Sequence, residues 1–221
     1  MFTLRFWVFF GAVCCQPLAM GITQQQLRQI QERLAGTRRA PGLLLQPTLP
    51  MPQRGPQTIL GIDSSLRGTG YGIIRTTKLY PQTLAHGTIS CPAGWPRSRC
   101  LAQIMQSVRS LLQQHQPTIC VMEGLFYAQN LQTALLMGEA RGAALAIIAE
   151  AGLEIYELAP RKVKQAIVGY GGAQKFAVAK MVQRLLRLPK APEPDAADAL
   201  ALALAQAHVT GRYSLASPKR I

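Results

Sequence analysis

Four acidic residues in this chain have the spacing of a divalent-cation site. Asp63 ends one short apolar run, just before a glycine-rich turn, and Glu123 ends a second apolar run. Asp195 and Asp198 are three residues apart at the start of a helical pattern, so they share one helix face. A carboxylate at the end of a buried strand is costly unless it is paired, hydrogen-bonded or bound to a metal. The four acids are therefore candidate metal ligands.

The chemistry of such a set is phosphodiester hydrolysis. Clustered carboxylates repel one another unless a cation is present, and hard oxygen ligands favour Mg²⁺ or Mn²⁺ over zinc. Two such ions about 4 Å apart activate a water and stabilise the leaving oxygen. Asp195 alone is equally well explained as a helix cap, but Asp198 faces the same way further into the helix. We therefore predict Asp63, Glu123 and Asp195 as catalytic residues, with Asp198 as a further metal ligand.

The composition favours a polyanionic partner. The chain has 24 Lys/Arg against 10 Asp/Glu, a formal net charge of +14, and DNA or RNA is the usual partner of such a protein. A solvated basic surface and anionic lipid are the alternatives. The cysteines are odd in number and have neither a C-x-x-C pair nor a histidine at zinc-ligand spacing, which predicts incidental thiols in a reducing compartment: Cys14, Cys15, Cys91, Cys100 and Cys120.

From residue 58 onward, the pattern of apolar residues predicts an α/β fold of the ribonuclease H-like type. Short apolar runs predict a mixed five-stranded sheet, an antiparallel meander and then parallel strands, at residues 59–64, 70–77, 83–90, 118–123 and 154–158. Helical stripes, which are expected on both faces of that sheet, occur at residues 99–115, 130–151, 161–168, 174–188 and 195–208.

The chain divides into three predicted parts. Residues 1–57 form an N-terminal extension, with a signal-like apolar run too short for a membrane span of about 20 residues, followed by a Gln- and Pro-rich linker. We interpret it as sequence upstream of the true start codon in preference to an export or organelle address. Residues 58–210 form the nuclease domain, and residues 211–221 a basic C-terminal tail. We expect no membrane partner for residues 58–221.

The motifs taken in order resemble the RuvC-type Holliday-junction resolvases. They are G-I-D at 61–63, G-Y-G at 70–72, E-G-L-F-Y-A-Q-N at 123–130, V-K-Q at 163–165 and D-A-A-D-A-L at 195–200. Each motif alone is common, but the ordered set is specific. The resemblance implies a homodimeric, Mg²⁺-dependent endodeoxyribonuclease, with Mn²⁺ able to substitute and two ions in each active site.

What the resemblance implies about substrate and site is equally specific. The substrate would be a four-way DNA junction, nicked symmetrically in two opposed strands during cytoplasmic recombination and repair, with a branch-migration helicase complex as partner. The four acids match the metal-binding quartet of the family. Lys164 and Lys175 match basic positions near the scissile phosphate and DNA backbone, and Arg161 joins them as a DNA-binding candidate. Phe126 matches an aromatic that stacks on opened bases. Without the resemblance, the lysines would be interpreted as a solvated helix face. Phe126 could be a core residue, but its place just after a strand-end acid favours a loop position.

One departure and three alternatives remain. The family usually has Pro-Gly after its first acid, where this chain has Ser64-Ser65; serine side chains can build the same turn, so we expect altered loop detail and retained metal binding.

A related nuclease acting on structured RNA is one alternative. A second is an actin-like ATP-binding protein, which would need another domain. The third, a DNA-binding module without catalysis, is opposed by the complete set of acids.

Overall fold

The structure is a computed structural model that describes residues 24, 28, 55–124, 131–210 and 219–221. The chain divides into two compact units, Met1–Pro52 and Gln53–Ile221. The strands and helices given below lie in the second unit. The signal-like run of residues 6–15 and Phe126 lie outside the described residues.

The ten predicted elements are all present, with ends shifted by a few residues. The strands are β1 (Thr58–Asp63), β2 (Gly68–Arg75), β3 (Gln82–Ser90), β4 (Ile119–Glu123), β5 (Glu154–Leu158) and β6 (Lys219–Arg220). The helices are α1 (Arg97–His115), α2 (Leu131–Glu150), α3 (Pro160–Val168), α4 (Lys175–Leu185) and α5 (Pro194–Thr210). Helix α4 ends earlier than predicted, and Arg187 just beyond it has a left-handed φ of 53°.

The strand order in the sheet is β3-β2-β1-β4-β5-β6. Strands β1, β2 and β3 form the antiparallel meander, and β4 and β5 continue the sheet in parallel with β1. The predicted fold class is confirmed, but the sheet has six strands instead of five. The sixth, β6, lies in the segment interpreted as a basic tail and pairs antiparallel with β5. A strand of two charged residues has no alternation that a sequence pattern could reveal.

Side-chain alternation divides the core between the two faces of the sheet. Leu60 and Ile62 of β1 pack with α1 and α2, whereas Ile59 packs with α3, α4 and α5 on the opposite face. Gly61 lies on the α5 face, where an added Cβ would collide with the Ala199 carbonyl oxygen. Helix α5 therefore lies directly on β1. Two residues after Gly61, Asp63 falls on the same face.

Two further predictions concern cysteines and membranes. The described cysteines, Cys91, Cys100 and Cys120, are buried and free. The reducing compartment stays a prediction. Among the described helices, α2 alone is long and apolar enough to cross a membrane by length and composition. This signal is weak, because the core helix of a globular domain passes the same test, and α2 buries Ala140, Ala144 and Ile147 against the protein.

Candidate active site

The first two predicted acids, Asp63 and Glu123, meet at the ends of adjacent parallel strands. The register of β1 and β4 pairs Ile62 with Met122, so the next residue on each strand is an acid on the α5 face. The two carboxyl groups are hydrogen-bonded to each other. Burial, followed by the negative charges of Glu123 and Asp198, raises the pKa of Asp63 to about 7. Burial and the neighbouring negative charges therefore disfavour ionisation of both carboxyl groups together.

Glu123 experiences the same environment. Burial is the largest cause that raises its pKa, and the charge of Asp198 adds to it. The hydrogen bond from Asp63 and the positive charges of Lys175 and Lys164 act in the opposite direction. The sheet thus holds two carboxylates where both can be ionised together only if positive charge is close by.

Helix α5 brings Asp198 to this pair together with a lysine. The Lys175 ammonium lies 2.8 Å from Asp198 Oδ2, and the side chains are 76% and 26% exposed respectively. The hydrogen bond to Asp198 is the first cause of the raised pKa of Lys175, and the charges of Asp63 and Glu123 contribute further. Lys175, predicted to contact DNA, is therefore also a cation that faces the acids.

The fourth acid, Asp195, lies against β2. An added Cβ at Gly68 would lie 2.7 Å from Asp195 Oδ2, and one at Gly70 would collide with the Asp195 carbonyl oxygen. Gly70 is the cross-strand partner of Asp63, so Asp195 reaches the strand beside the first acid. The glycines of this turn thus allow α5 to begin close to the sheet.

The turn after Asp63 is built by serine and threonine side chains. Ser65 Oγ accepts a hydrogen bond of 3.0 Å from the Gly68 N–H. The Thr69 hydroxyl donates to the Ser65 carbonyl at 2.6 Å and accepts from the Ser65 N–H at 3.3 Å. The expectation that serine side chains replace the usual Pro-Gly turn is confirmed at Ser65.

Sequence reasoning missed Arg141. Its guanidinium, on the buried side of α2, donates to the Glu123 carbonyl oxygen at 2.6 Å and to Glu157 Oε2 at 2.7 Å. The residue is 9% exposed. Arg141 therefore fixes the end of β4 that carries Glu123 and ties it to β5. The available signal was a single basic residue within a long Ala- and Gly-rich helical stretch.

The remaining basic candidates lie on α3. Lys164 is half-buried, and its charge lowers the pKa of Glu123, so it acts on the site electrostatically. Arg161 is exposed. An added Cβ at Gly171 would collide with Arg161 Cγ, so the aliphatic part of the arginine side chain packs against the loop before α4. The DNA contacts of both residues stay predictions. Phe126 lies outside the described residues.

The four acids fit a hard divalent cation by their chemistry. Among the described residues, no three acidic, histidine or cysteine side chains already form a group that could hold a metal. The Asp63–Glu123 hydrogen bond and the Lys175–Asp198 ion pair engage three of the carboxylates. The donors are nevertheless all carboxylate oxygens, the ligands that Mg²⁺ and Mn²⁺ prefer. Positive charge at this place would also relieve the repulsion that raises the pKa of Asp63.

A family model, Crossover junction endodeoxyribonuclease RuvC, matches residues 59–206. This chain belongs to the RuvC family. The RuvC of Pseudomonas putida (strain GB-1) is 43% identical over 165 residues, 73% of this chain and 94% of that protein. The RuvC of Chloroflexus aggregans is 40% identical over 150 residues, 67% of this chain and 92% of that protein.

The RuvC match extends to three-dimensional structure. A Thermus thermophilus RuvC in complex with Holliday junction substrate has a TM-score of 0.69 and 30% identity, covering 75% of this chain and 99% of that one. A second Thermus thermophilus RuvC structure gives a TM-score of 0.65. The predicted family is confirmed, and the matched residues include all four acids.

Proposed function

We propose that this chain is an endodeoxyribonuclease that resolves four-way DNA junctions. The observation that carries the proposal is the half-buried Asp63–Glu123 pair facing Asp198 and Lys175, within a chain of the RuvC family. A RuvC structure with Holliday junction substrate supports the choice of substrate. The net charge of +14 suits a polyanion of that size. The biological role is recombination and repair of DNA.

Each residue of the site has a separate task. A divalent cation held by Asp63, Glu123, Asp195 and Asp198 would supply an activated water and charge stabilisation for phosphodiester hydrolysis. We propose Mg²⁺, with Mn²⁺ as a substitute and two ions per site. Lys175 balances the charge of Asp198 and stands ready to offset charge on the scissile phosphate.

Contacts with the rest of the DNA are assigned to basic and aromatic side chains around the acids. Lys164 and Arg161 on α3, together with Lys175, would contact backbone phosphates, which orients the substrate without reading its sequence. Phe126, three residues beyond Glu123, would stack on an opened base, as the resemblance implies. Stacking of one base on an aromatic ring contributes about 1–3 kcal/mol to binding.

Symmetric nicking requires two active sites, and the exposed face of α2 suits a second copy of the chain. Leu131 and Leu135 are 75% and 60% exposed, one helical turn apart. An added Cβ at Gly138 or Gly142 would meet nothing within 4 Å, so another helix could approach closely there. We propose a homodimer through this face, located in the cytoplasm and working with a branch-migration helicase complex.

The test is a cleavage assay on a synthetic four-way DNA junction, with each strand labelled in turn, in Mg²⁺ and in EDTA. We expect paired nicks in two opposed strands with Mg²⁺ and none with EDTA. The Asp63→Asn variant should bind the junction with unchanged affinity and fail to cut it, because a metal-ligating carboxylate is lost. Glu150→Gln is the matched control, since Glu150 is 70% exposed in a surface ion pair with Arg109.

Two results would contradict the proposal. Nicking by Asp63→Asn at the wild-type rate would remove the acids from the chemistry. Preferential cleavage of a four-way RNA junction, run alongside the DNA, would favour the structured-RNA alternative. Unpaired nicks, in one strand at a time, would argue against the homodimer while leaving the nuclease activity in place.

A further inference from the structure

One row of exposed side chains on α4 has no part in the function described so far. Phe176, Lys180 and Arg184 follow one another at four-residue spacing, which places them on the same side of the helix. All three are exposed, and Phe176 is 75% exposed. We refer to Phe176, Lys180 and Arg184 as the α4 ridge.

Folding does not account for the aromatic member of this ridge. Helix α4 is anchored by Val178 and Val182, which are 3% and 0% exposed and belong to the core formed by α3, α4, α5 and one face of the sheet. Phe176 points elsewhere, and the Lys180 ammonium lies 5.7 Å from the centre of its ring. Single exposed apolar residues are common on protein surfaces. A large exposed aromatic ring beside a cation is, however, the combination with which proteins bind unpaired bases and their phosphates.

The ridge begins at the acidic site. Phe176 directly follows Lys175, whose ammonium is 2.8 Å from Asp198 Oδ2. From Phe176 to Arg184 the helix rises by about 12 Å, about the axial length of three to four nucleotides of one B-form strand. Residues 175–185 contain no acid that would repel a phosphate. A DNA strand leaving the site could therefore follow the ridge.

We propose that the α4 ridge holds the DNA strand next to the cleaved phosphate. Phe176 stacks on an unpaired base, and Lys180 and Arg184 contact the phosphates that follow. Duplex DNA offers phosphates but no free base face, whereas bases at the branch point of a junction are able to unstack. The ridge thus adds a preference for branched over continuous duplex DNA, and this inference rests on the proposed junction-resolving function.

The test uses full-length protein in EDTA and four-way junctions with 2-aminopurine placed at successive positions near the nick. We expect the wild type to change the fluorescence at a position contacted by Phe176, separate from any change at the base assigned to Phe126. Phe176→Ala should abolish that change and weaken junction affinity about tenfold, because base–aromatic stacking is lost. Phe176→Trp should retain both. Leu79→Ala is the control, since Leu79 is 84% exposed on the β2–β3 connection, outside the ridge.

The basic members of the ridge give a second, independent readout. Lys180→Ala and Arg184→Ala should each reduce the slope of log affinity against log salt concentration by about one phosphate contact, while Phe176→Ala leaves that slope unchanged. Thermal melting should be the same for all variants, because the substituted side chains are exposed.

Failure of this inference differs from failure of the proposed function. A wild-type protein that neither binds nor cuts a four-way junction overturns both. A wild-type protein that cuts junctions, alongside a Phe176→Ala variant with unchanged affinity and fluorescence, overturns the ridge alone.

Discussion

The acids at the strand ends and the acid paired with lysine on α5 differ in how their negative charges are compensated. Asp63 and Glu123 are fixed by the sheet, hydrogen-bonded to each other, and have raised pKa values because they are buried close together. Asp198, on α5, is partly exposed and already paired with Lys175 at 2.8 Å. The sheet therefore holds two carboxylates whose joint ionisation requires nearby positive charge, while the helix supplies an acid whose charge is balanced.

The site therefore has a rigid half, which is Asp63 and Glu123 on the sheet. It also has an adjustable half, which includes Asp198 on α5 and its partner Lys175 on α4. Strand β1 is hydrogen-bonded to β2 and to β4, and its Leu60 and Ile62 are fully buried. The ammonium that holds Asp198 belongs to a side chain that is 76% exposed, and exposed ion pairs contribute only about 0–1 kcal/mol. Exchange of that lysine for a metal ion or a phosphate therefore costs little, whereas movement of Asp63 would disturb the core.

We expect the largest effect on cleavage and stability from a substitution that moves α5 away from the sheet and so separates the two halves of the site. Gly70→Ala places a Cβ where the Asp195 carbonyl oxygen now lies, so the start of α5 must move away from β2. We expect junction cleavage to be lost and the free energy of unfolding to fall by about 1–3 kcal/mol, as for other overpacked sites. Denaturant unfolding and the cleavage assay measure the two effects.

The control for that variant is Gly94→Ala, because a Cβ at Gly94 would meet nothing within 4 Å. Its unfolding free energy should change by less than about 0.5 kcal/mol, with wild-type cleavage. A Gly70→Ala protein as stable and as active as the wild type would show that α5 does not depend on this close approach.

A smaller effect should follow from removing the cation of the helix-borne half. Lys175→Met releases Asp198, so we expect a lower Mg²⁺ concentration for half-maximal cleavage, because lysine no longer competes for the carboxylate. The maximal rate should nevertheless fall about a hundredfold, since a charge near the phosphate is lost. Lys190→Met, at an exposed position in the linker before α5, is the control. An unchanged maximal rate, with a higher Mg²⁺ requirement, would contradict this assignment.

The sequence predicted the rigid half of the site better than the adjustable half. Strand alternation is local, so two apolar runs that each end in an acid are enough to place Asp63 and Glu123 at strand ends. The proximity of Lys175 to Asp198 depends on how α4 packs on α5, which no local pattern determines. Arg141 was missed for the same reason, because its partners, the Glu123 carbonyl and Glu157, lie on two strands of the sheet.

The raised pKa of Asp63 also fixes the sign of a pH effect on stability. Between its ordinary value of 3.8 and about 7, the folded protein without metal binds more protons at this carboxyl than the unfolded chain does. Its contribution to stability is therefore largest at low pH and is lost as the pH rises through about 7. A bound divalent cation would remove this loss, because it favours the ionised carboxylate.

The central claim, that Asp63 and Glu123 form a repelling pair awaiting a cation, is tested most directly by NMR titration of the Asp63 carboxyl carbon. In metal-free protein we predict a pKa of about 7. Saturating Mg²⁺ should lower it well below that value, and Glu123→Gln in metal-free protein should also lower it, because a neighbouring negative charge is removed. A metal-free pKa near the ordinary 3.8, unchanged by Mg²⁺ and by Glu123→Gln, would contradict the claim.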